Sequence, residues 1–142
     1  MLLNHEDTDD VLQETFIKIW KGLEKFRGDS GLFTWLYRIA TNESLTFLKS
    51  RKRKQHFSVE SMEKAMGESL KADIYFQGDE LQLKLQKAIL TLPEKQRLIF
   101  NMKYFDDLKY EEIAEILGQT TGSLKASYHH AVKKIEKYIK SD

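Results

Sequence analysis

Residues 108–134 of this 142-residue chain contain two helical patterns separated by a single glycine. The first pattern has an apolar face made of Ile113, Ala114, Ile116 and Leu117. Gly118 follows at the position where a helix C-terminus favours a residue that tolerates positive φ, and Thr120 is placed to cap the next helix. A short glycine-bearing turn between two helices is typical of the helix-turn-helix, whose second helix enters the DNA major groove.

The second pattern predicts one buried stripe, because apolar residues recur at steps of three and four: Leu124, Tyr128, Ala131, Ile135 and Tyr138. The opposite face carries small, polar or basic side chains of the kinds that contact base edges and phosphates: Ser123, Ala126, His130 and Lys133, with Lys125 and His129 at its edge. For this segment alone, an ordinary helical hairpin with a solvated face is the alternative.

The whole chain is predicted to be all-α. It has one proline and seven glycines, and no run of alternating Val, Ile and Thr indicates a strand. We predict two small helical domains, residues 1–54 and 81–142, joined by a flexible linker at 55–80. A short helix around residues 61–71 fits the spacing within that linker.

The first domain is predicted to hold helices over residues 9–25 and 32–53, with a glycine-bearing break between them. The apolar stripe expected on the first helix consists of Val11, Leu12, Phe16, Ile19, Trp20 and Leu23. In the second domain a helix begins near Asp79, and Pro93 is expected at the first position of the next one.

Charge is segregated along the chain although the formal net charge is only +1. Residues 6–14 hold five acidic side chains and no Lys or Arg, whereas residues 49–54 hold five basic ones. Such patches bear on the choice of partner more than the total charge does. A solvated helix face is the ordinary reading of a charge run.

Several classes of protein are excluded or disfavoured. The absence of cysteine excludes disulfides and thiolate zinc sites. No apolar run reaches a membrane span and no signal-peptide pattern is present, so we expect a cytoplasmic protein without membrane insertion. His129 and His130 point about 100° apart, and the N-terminal carboxylates lack convergent histidines. We therefore expect no metal site, no cofactor and no enzymatic activity.

Both domains closely resemble parts of the extracytoplasmic-function (ECF) sigma factors of the bacterial sigma-70 family. The first resembles region 2 through Asp9–Trp20, Phe26–Ser30 and Thr34–Asn42, and the second resembles region 4 through Leu92–Arg97 and Tyr110–Gly118. The resemblance implies a promoter-specificity subunit that binds core RNA polymerase and recognises the −10 element with region 2 and the −35 element with region 4. An anti-sigma factor or a recruiting protein is a further expected partner.

The resemblance also implies roles for individual residues. Contacts to the β′ clamp helices of the polymerase are expected from Asp9, Asp10, Gln13, Glu14, Phe16 and Trp20, although Phe16, Ile19 and Trp20 are expected mainly in the core. Contacts to the −10 element are expected from Phe26, Arg27, Asp29, Ser30, Trp35, Tyr37, Arg38, Asn42, Lys49, Arg51, Lys52 and Arg53. For Trp35, a core position is equally expected.

In the second domain, contacts to the −35 element are expected from Thr120, Gly122, Ser123, Lys125, Ala126, Ser127, His129, His130 and Lys133. Residues 95–105 are expected to face the β-flap tip of the polymerase.

The chain departs from the family pattern in three places. Only eight residues precede Asp9, where most members carry a further helix, region 2.1, and the first domain is therefore expected to be incomplete, less stable or reliant on a partner. Ser127, His130 and Val132 stand where many members carry Arg, which predicts weaker phosphate and guanine contacts. Lys109 replaces a frequent serine N-cap, with Asp107 as the alternative cap. A non-sigma helix-turn-helix regulator and an interaction-only module are the rival readings.

Overall fold

The computed structural model describes residues 2, 5–54, 64, 68 and 79–141, with the backbone alone for residues 52–54. Its described residues form six helices: α1 His5–Leu23, α2 Leu32–Lys54, α3 Glu80–Leu90, α4 Glu94–Tyr104, α5 Tyr110–Leu117 and α6 Thr121–Lys140. The all-α prediction is confirmed. The helix expected around residues 61–71 lies outside the described residues, apart from two isolated positions.

The chain divides into two compact units, residues 1–57 and 58–142. The finer limits of 1–54, 55–80 and 81–142 stay a prediction. In the first unit α1 packs along α2. Helix α1 begins four residues earlier than its apolar pattern indicates, and Glu6 and Asp7 in its first turn suit the positive end of the helix dipole.

Few residues of α1 are buried where it packs against α2. Val11 and Thr15 are the buried residues of α1, and the Thr15 hydroxyl donates to the Val11 carbonyl at 2.7 Å. Further along, Gly22 lies against the Trp35 ring, since a Cβ at that position would come within 3.0 Å of Trp35 Cζ2. Side-chain ion pairs of Lys18 with Glu43 and of Arg51 with Asp7 join the two helices.

Most of the apolar surface of α1 points away from α2. An exposed row, which we call the α1 apolar stripe, consists of Leu12, Phe16, Trp20 and Leu23, all between 49% and 79% exposed. Because successive residues of a helix are about 100° apart, the stripe lies roughly a third of a turn from the buried face. The prediction that Phe16 and Trp20 are mainly core residues is therefore wrong. The apolar residues span more of the circumference than one neighbouring helix buries.

The second unit is built around α6, which packs against α3, α4 and α5. Leu124, Ala131 and Ile135 are buried and Tyr128 and Tyr138 are half-buried, which confirms the predicted stripe. One core cluster joins α6 to α3, α4 and the turn between them through Ala88, Ile89, Leu92, Phe100, Ala131 and Ile135.

The turn between α5 and α6 has the predicted geometry. Gly118 ends α5 in the left-handed conformation, with φ 63° and ψ 40°. The Thr120 hydroxyl caps α6 by accepting a hydrogen bond from the Ser123 backbone N–H at 3.2 Å. Both details follow from the steric freedom of glycine and from the unpaired N–H groups at a helix start.

Two helix starts in the second unit also differ from the predictions. Pro93 is the N-cap of α4 rather than its first helical residue, and its carbonyl accepts the Arg97 backbone N–H at 2.9 Å. The start of α5 is held by Glu112, whose carboxylate accepts the Lys109 backbone N–H at 2.7 Å. Asp107 instead adopts φ 49° and lies 3.8 Å from the Lys103 ammonium, so it does not take the place of the missing serine cap.

The glycine turn gives a test of the fold. We expect Gly118→Ala to lower the free energy of unfolding by about 1–2 kcal/mol, because a Cβ is strained in the left-handed conformation. Gly122→Ala is the matched control: Gly122 lies in α6 with open space around its Cα, so alanine should raise stability by roughly 0.5 kcal/mol. Urea unfolding followed by circular dichroism measures both. A neutral Gly118→Ala would contradict the assigned turn.

Candidate nucleic-acid and protein interfaces

The predicted DNA-reading residues of the second unit lie together on the outward face of α6 and at its cap. All of them are exposed except Ser127, which is half-buried: Thr120, Gly122, Ser123, Lys125, Ala126, His129, His130 and Lys133. We call this surface the α6 outer face. Its residues point outward because the buried stripe on the opposite side of α6 packs against α3, α4 and α5.

The charged side chains on this face are lysines. No Asp or Glu occurs between residues 120 and 135, and the first turn of α6 has no acidic residue. The positive end of the helix dipole is therefore not neutralised from within α6. Lys134, at the edge of the face, donates to the Gln96 side chain of α4 at 3.0 Å. An anionic polymer is the ligand that this distribution favours.

An aromatic column lies behind the α6 outer face. The Tyr128 ring stacks on Phe100 with centroids 5.7 Å apart, and Tyr110 meets Tyr128 edge-on at 6.4 Å. The ammonium groups of Lys103 and Lys125 lie 5.4 Å and 5.7 Å from the Tyr110 ring centroid. Burial raises the pKa of Tyr110 and that of Tyr128. The nearby Tyr110 and Tyr104 side chains raise the pKa of Tyr128 further. Sequence reasoning missed Tyr110, because its neighbours come from other helices.

In the first unit, the residues predicted to contact the −10 element lie in the loop before α2 and along α2 itself. Arg27, Asp29, Asn42 and Lys49 are exposed, whereas half-buried positions are taken by Phe26, Ser30, Trp35, Tyr37, Arg38 and Arg51. Lys52 and Arg53 have side chains outside the described residues.

Trp35 has a packing role in this unit. Its ring lies 5.0 Å from the Phe26 ring, tilted by 43°, and its edge contacts Gly22. Phe33, which sequence reasoning did not assign, is 56% exposed and lies 5.8 Å from Tyr37. Its position one turn before Tyr37, a predicted contact residue, is the signal that could have identified it. The loop and helix thus present an aromatic surface beside polar side chains.

A third surface lies on α1. Asp9, Asp10, Gln13 and Glu14 are exposed near its start, next to the α1 apolar stripe. A groove of about 200 Å³ between α1 and α2 is lined by Asp10, Val11, Glu14, Glu43, Thr46, Phe47 and Ser50, three of which are carboxylates. The combination of carboxylates and exposed aromatic rings suits a protein surface with basic and apolar side chains.

Helix α4 is mostly core, so few residues of the range 95–105 are available to a partner. Lys95, Tyr104 and Phe105 are exposed, whereas Arg97 is buried with the apolar residues around it. Burial lowers the pKa of the Arg97 guanidinium, and the nearby Glu94 carboxylate opposes that effect. Arg97 therefore has a structural position.

Two absences apply to the part of the chain that the structure describes. Its His, Asp and Glu residues form no group of three that could hold a metal ion. None of its helices has the length and apolar character needed to cross a bilayer.

Comparisons with known proteins identify both units. Residues 1–54 match the model of sigma-70 region 2, and residues 82–135 match that of sigma-70 region 4. The chain is 33% identical over 141 residues to the ECF RNA polymerase sigma-E factor of Escherichia coli K12, covering 94% of this chain and 74% of the relative. It is 32% identical over 142 residues to the RNA polymerase sigma-H factor of Pseudomonas aeruginosa PAO1, with the same coverage.

Solved structures show the same fold. The sigma factor RpoE of Bartonella quintana, solved with the anti-sigma factor NepR, superposes with a TM-score of 0.72 at 24% identity, covering 99% of this chain and 86% of that one. CnrH, solved with the cytosolic domain of CnrY, gives a TM-score of 0.67 at 18% identity, covering 99% and 75%.

Proposed function

The chain belongs to the ECF group of the sigma-70 family, and on that premise we propose which of its surfaces contact promoter DNA and which contact RNA polymerase. Sigma factors are transcription initiation factors, not enzymes, and they act with core RNA polymerase and promoter DNA. A non-sigma helix-turn-helix regulator does not account for the region 2 match of residues 1–54. We propose the cytoplasm as the compartment, because transcription takes place there.

The α6 outer face is the proposed reader of the −35 element. The observation that carries this proposal is a row of exposed small, polar and basic side chains on the second helix of a helix-turn-helix, with no acidic residue between positions 120 and 135. Small residues such as Ser123 and Ala126 allow close approach to base edges, while Lys125 and Lys133 are suited to phosphates.

The loop at residues 26–31 and the first half of α2 are the proposed −10 surface. A base that leaves the stack needs aromatic walls and polar groups that read its edge. The Phe26–Trp35 pair and the Phe33–Tyr37 pair supply rings, and exposed Arg27, Asp29 and Asn42 supply polar groups. Lys49 extends this surface with a charge for the phosphate backbone.

Helix α1 is the proposed contact to the β′ clamp helices of core RNA polymerase. Its exposed carboxylates can pair with basic groups, and the α1 apolar stripe offers Phe16 and Trp20 as packing area. The exposure that made the core prediction wrong is what supports their role at an interface. Tyr104 and Phe105, with Lys95, are the proposed contacts to the β-flap tip.

An anti-sigma factor or a recruiting protein is a further proposed partner, and the α1 apolar stripe is the surface it would compete for. A protein that covers Trp20, which is 79% exposed, would block access of the polymerase to the same ring. Large exposed apolar patches of this kind mark interaction sites.

The polymerase contact is tested by Trp20→Ala. We expect it to weaken binding of the chain to bacterial core RNA polymerase by tenfold or more, about 1.4 kcal/mol, because a central Trp is a typical hot spot. Ile17→Ala is the matched control, since Ile17 is 45% exposed on the same helix but lies outside the stripe. Anisotropy of a labelled chain measures both affinities. Equal losses for the two variants, or no loss for Trp20→Ala, would contradict the proposal.

The DNA contact is tested by His130→Arg, which puts a permanent charge on the α6 outer face. At moderate salt we expect roughly five- to tenfold tighter binding to a mixed-sequence duplex and a salt dependence steeper by about 0.9 in log–log slope. His5→Arg adds the same side chain to α1 and serves as the control. If the control tightens binding as much as His130→Arg, the assignment of the α6 outer face is wrong.

A further inference from the structure

Tyr110 occupies a fixed position between three helices. It is the first residue of α5, and its ring meets the Tyr128 ring of α6 edge-on, with centroids 6.4 Å apart and an interplanar angle of 76°. Tyr128 in turn stacks on Phe100 of α4 at 5.7 Å with an angle of 15°. Since Phe100 is 3% exposed and belongs to the core cluster, the core of the unit fixes the orientation of the Tyr110 ring.

Two ammonium groups lie against this ring. Lys103 is 5.4 Å from the centroid, donates to the Leu108 carbonyl at 3.1 Å and lies 3.8 Å from Asp107. These contacts hold its side chain against the turn that follows α4. Lys125 is different, because it projects from the exposed α6 outer face. Its ammonium lies 5.7 Å from the same ring centroid, within the distance of about 6 Å at which a cation is attracted to an aromatic face.

The chemistry of this contact leaves the charge of Lys125 available. Burial raises the pKa of Tyr110, so the ring is an uncharged phenol at neutral pH. The attraction comes from the negative face of the π system and does not neutralise the ammonium as a carboxylate would. A lysine held by a ring can therefore still bind an anion.

We propose that Tyr110 is a positioning residue for DNA binding, which holds the Lys125 ammonium in place to contact a phosphate of the duplex. The proposal rests on the assignment of the α6 outer face to DNA. Lysine has a long side chain with considerable rotamer freedom, and ordering it on binding weakens association. A ring that restricts the side chain beforehand reduces that loss. Lys103 adds a second positive charge beside the ring, partly balanced by Asp107.

A double-mutant cycle on the full chain tests the proposal. Because a phosphate contact is independent of sequence, the probe is a short, fluorescein-labelled, mixed-sequence DNA duplex, titrated by anisotropy at several KCl concentrations. The variants are Lys125→Ala, Tyr110→Met and the two combined. Tyr110→Met removes the aromatic face but keeps an apolar side chain of adaptable shape beside Tyr128. Tyr110→Phe is the control that keeps the ring.

We expect Lys125→Ala to weaken binding and to reduce the slope of log affinity against log salt by about 0.9. Tyr110→Met should weaken binding by about two- to fivefold, the range of an exposed cation–π contact, and Tyr110→Phe should leave it unchanged. In the Lys125→Ala background, Tyr110→Met should have no further effect.

Two results would overturn the role of Tyr110 and leave the assigned face intact: no loss in Tyr110→Met, or the same loss with and without Lys125. If Lys125→Ala changes neither affinity nor salt slope, the assignment of Lys125 to DNA is overturned as well. An NMR measurement on the unaltered chain covers the case in which Tyr110→Met fails to fold. The Lys125 ε-methylene protons should show an upfield ring-current shift relative to those of Lys133, and an absent shift would contradict the contact.

Discussion

The burial of one stripe of α6 is the interaction on which the second unit depends. Leu124 and Ala131 are fully buried and Ile135 is 5% exposed, so the helix is held against α3, α4 and α5 along most of its length. Fixing one face of a helix also fixes the other, and the residues proposed to read DNA point outward for this reason. The left-handed turn at Gly118 sets where α6 begins and so completes the constraint.

In the first unit, many apolar residues of α1 are left exposed. The buried residues of α1 and α2 are Val11, Thr15, Thr34 and Thr41, and the α1 apolar stripe stays exposed within the part of the chain that the structure describes. A pair of helices cannot bury the whole apolar surface of either one. The exposed rings therefore raise the free energy of the isolated unit while offering area to a protein partner. Among the described residues, the same exposed side chains leave the packing of α1 incomplete and provide area for an interface.

Local rules account for much of the agreement between sequence and structure. The six helices of the described residues, the Gly118 turn, the Thr120 cap and the buried stripe of α6 each depend on residues within a turn or two of one another, and each is confirmed. What the sequence could not supply depends on neighbours from elsewhere in the chain. The exposure of Phe16 and Trp20 follows from how much of α1 its neighbour covers. The site of Tyr110 follows from rings and ammonium groups brought together from α4 and α6. The residue roles on both DNA surfaces stay predictions.

Run-off transcription tests most directly whether these two units act together as a promoter-specificity factor. Bacterial core RNA polymerase, combined with this chain, would be given a library of promoter sequences, in parallel with Asn42→Ala in the proposed −10 surface and Lys125→Ala in the proposed −35 surface. We predict enrichment of start sites that share upstream −10 and −35 elements, and weaker enrichment with each variant. Transcripts without any shared element, or enrichment that neither variant changes, would contradict the account.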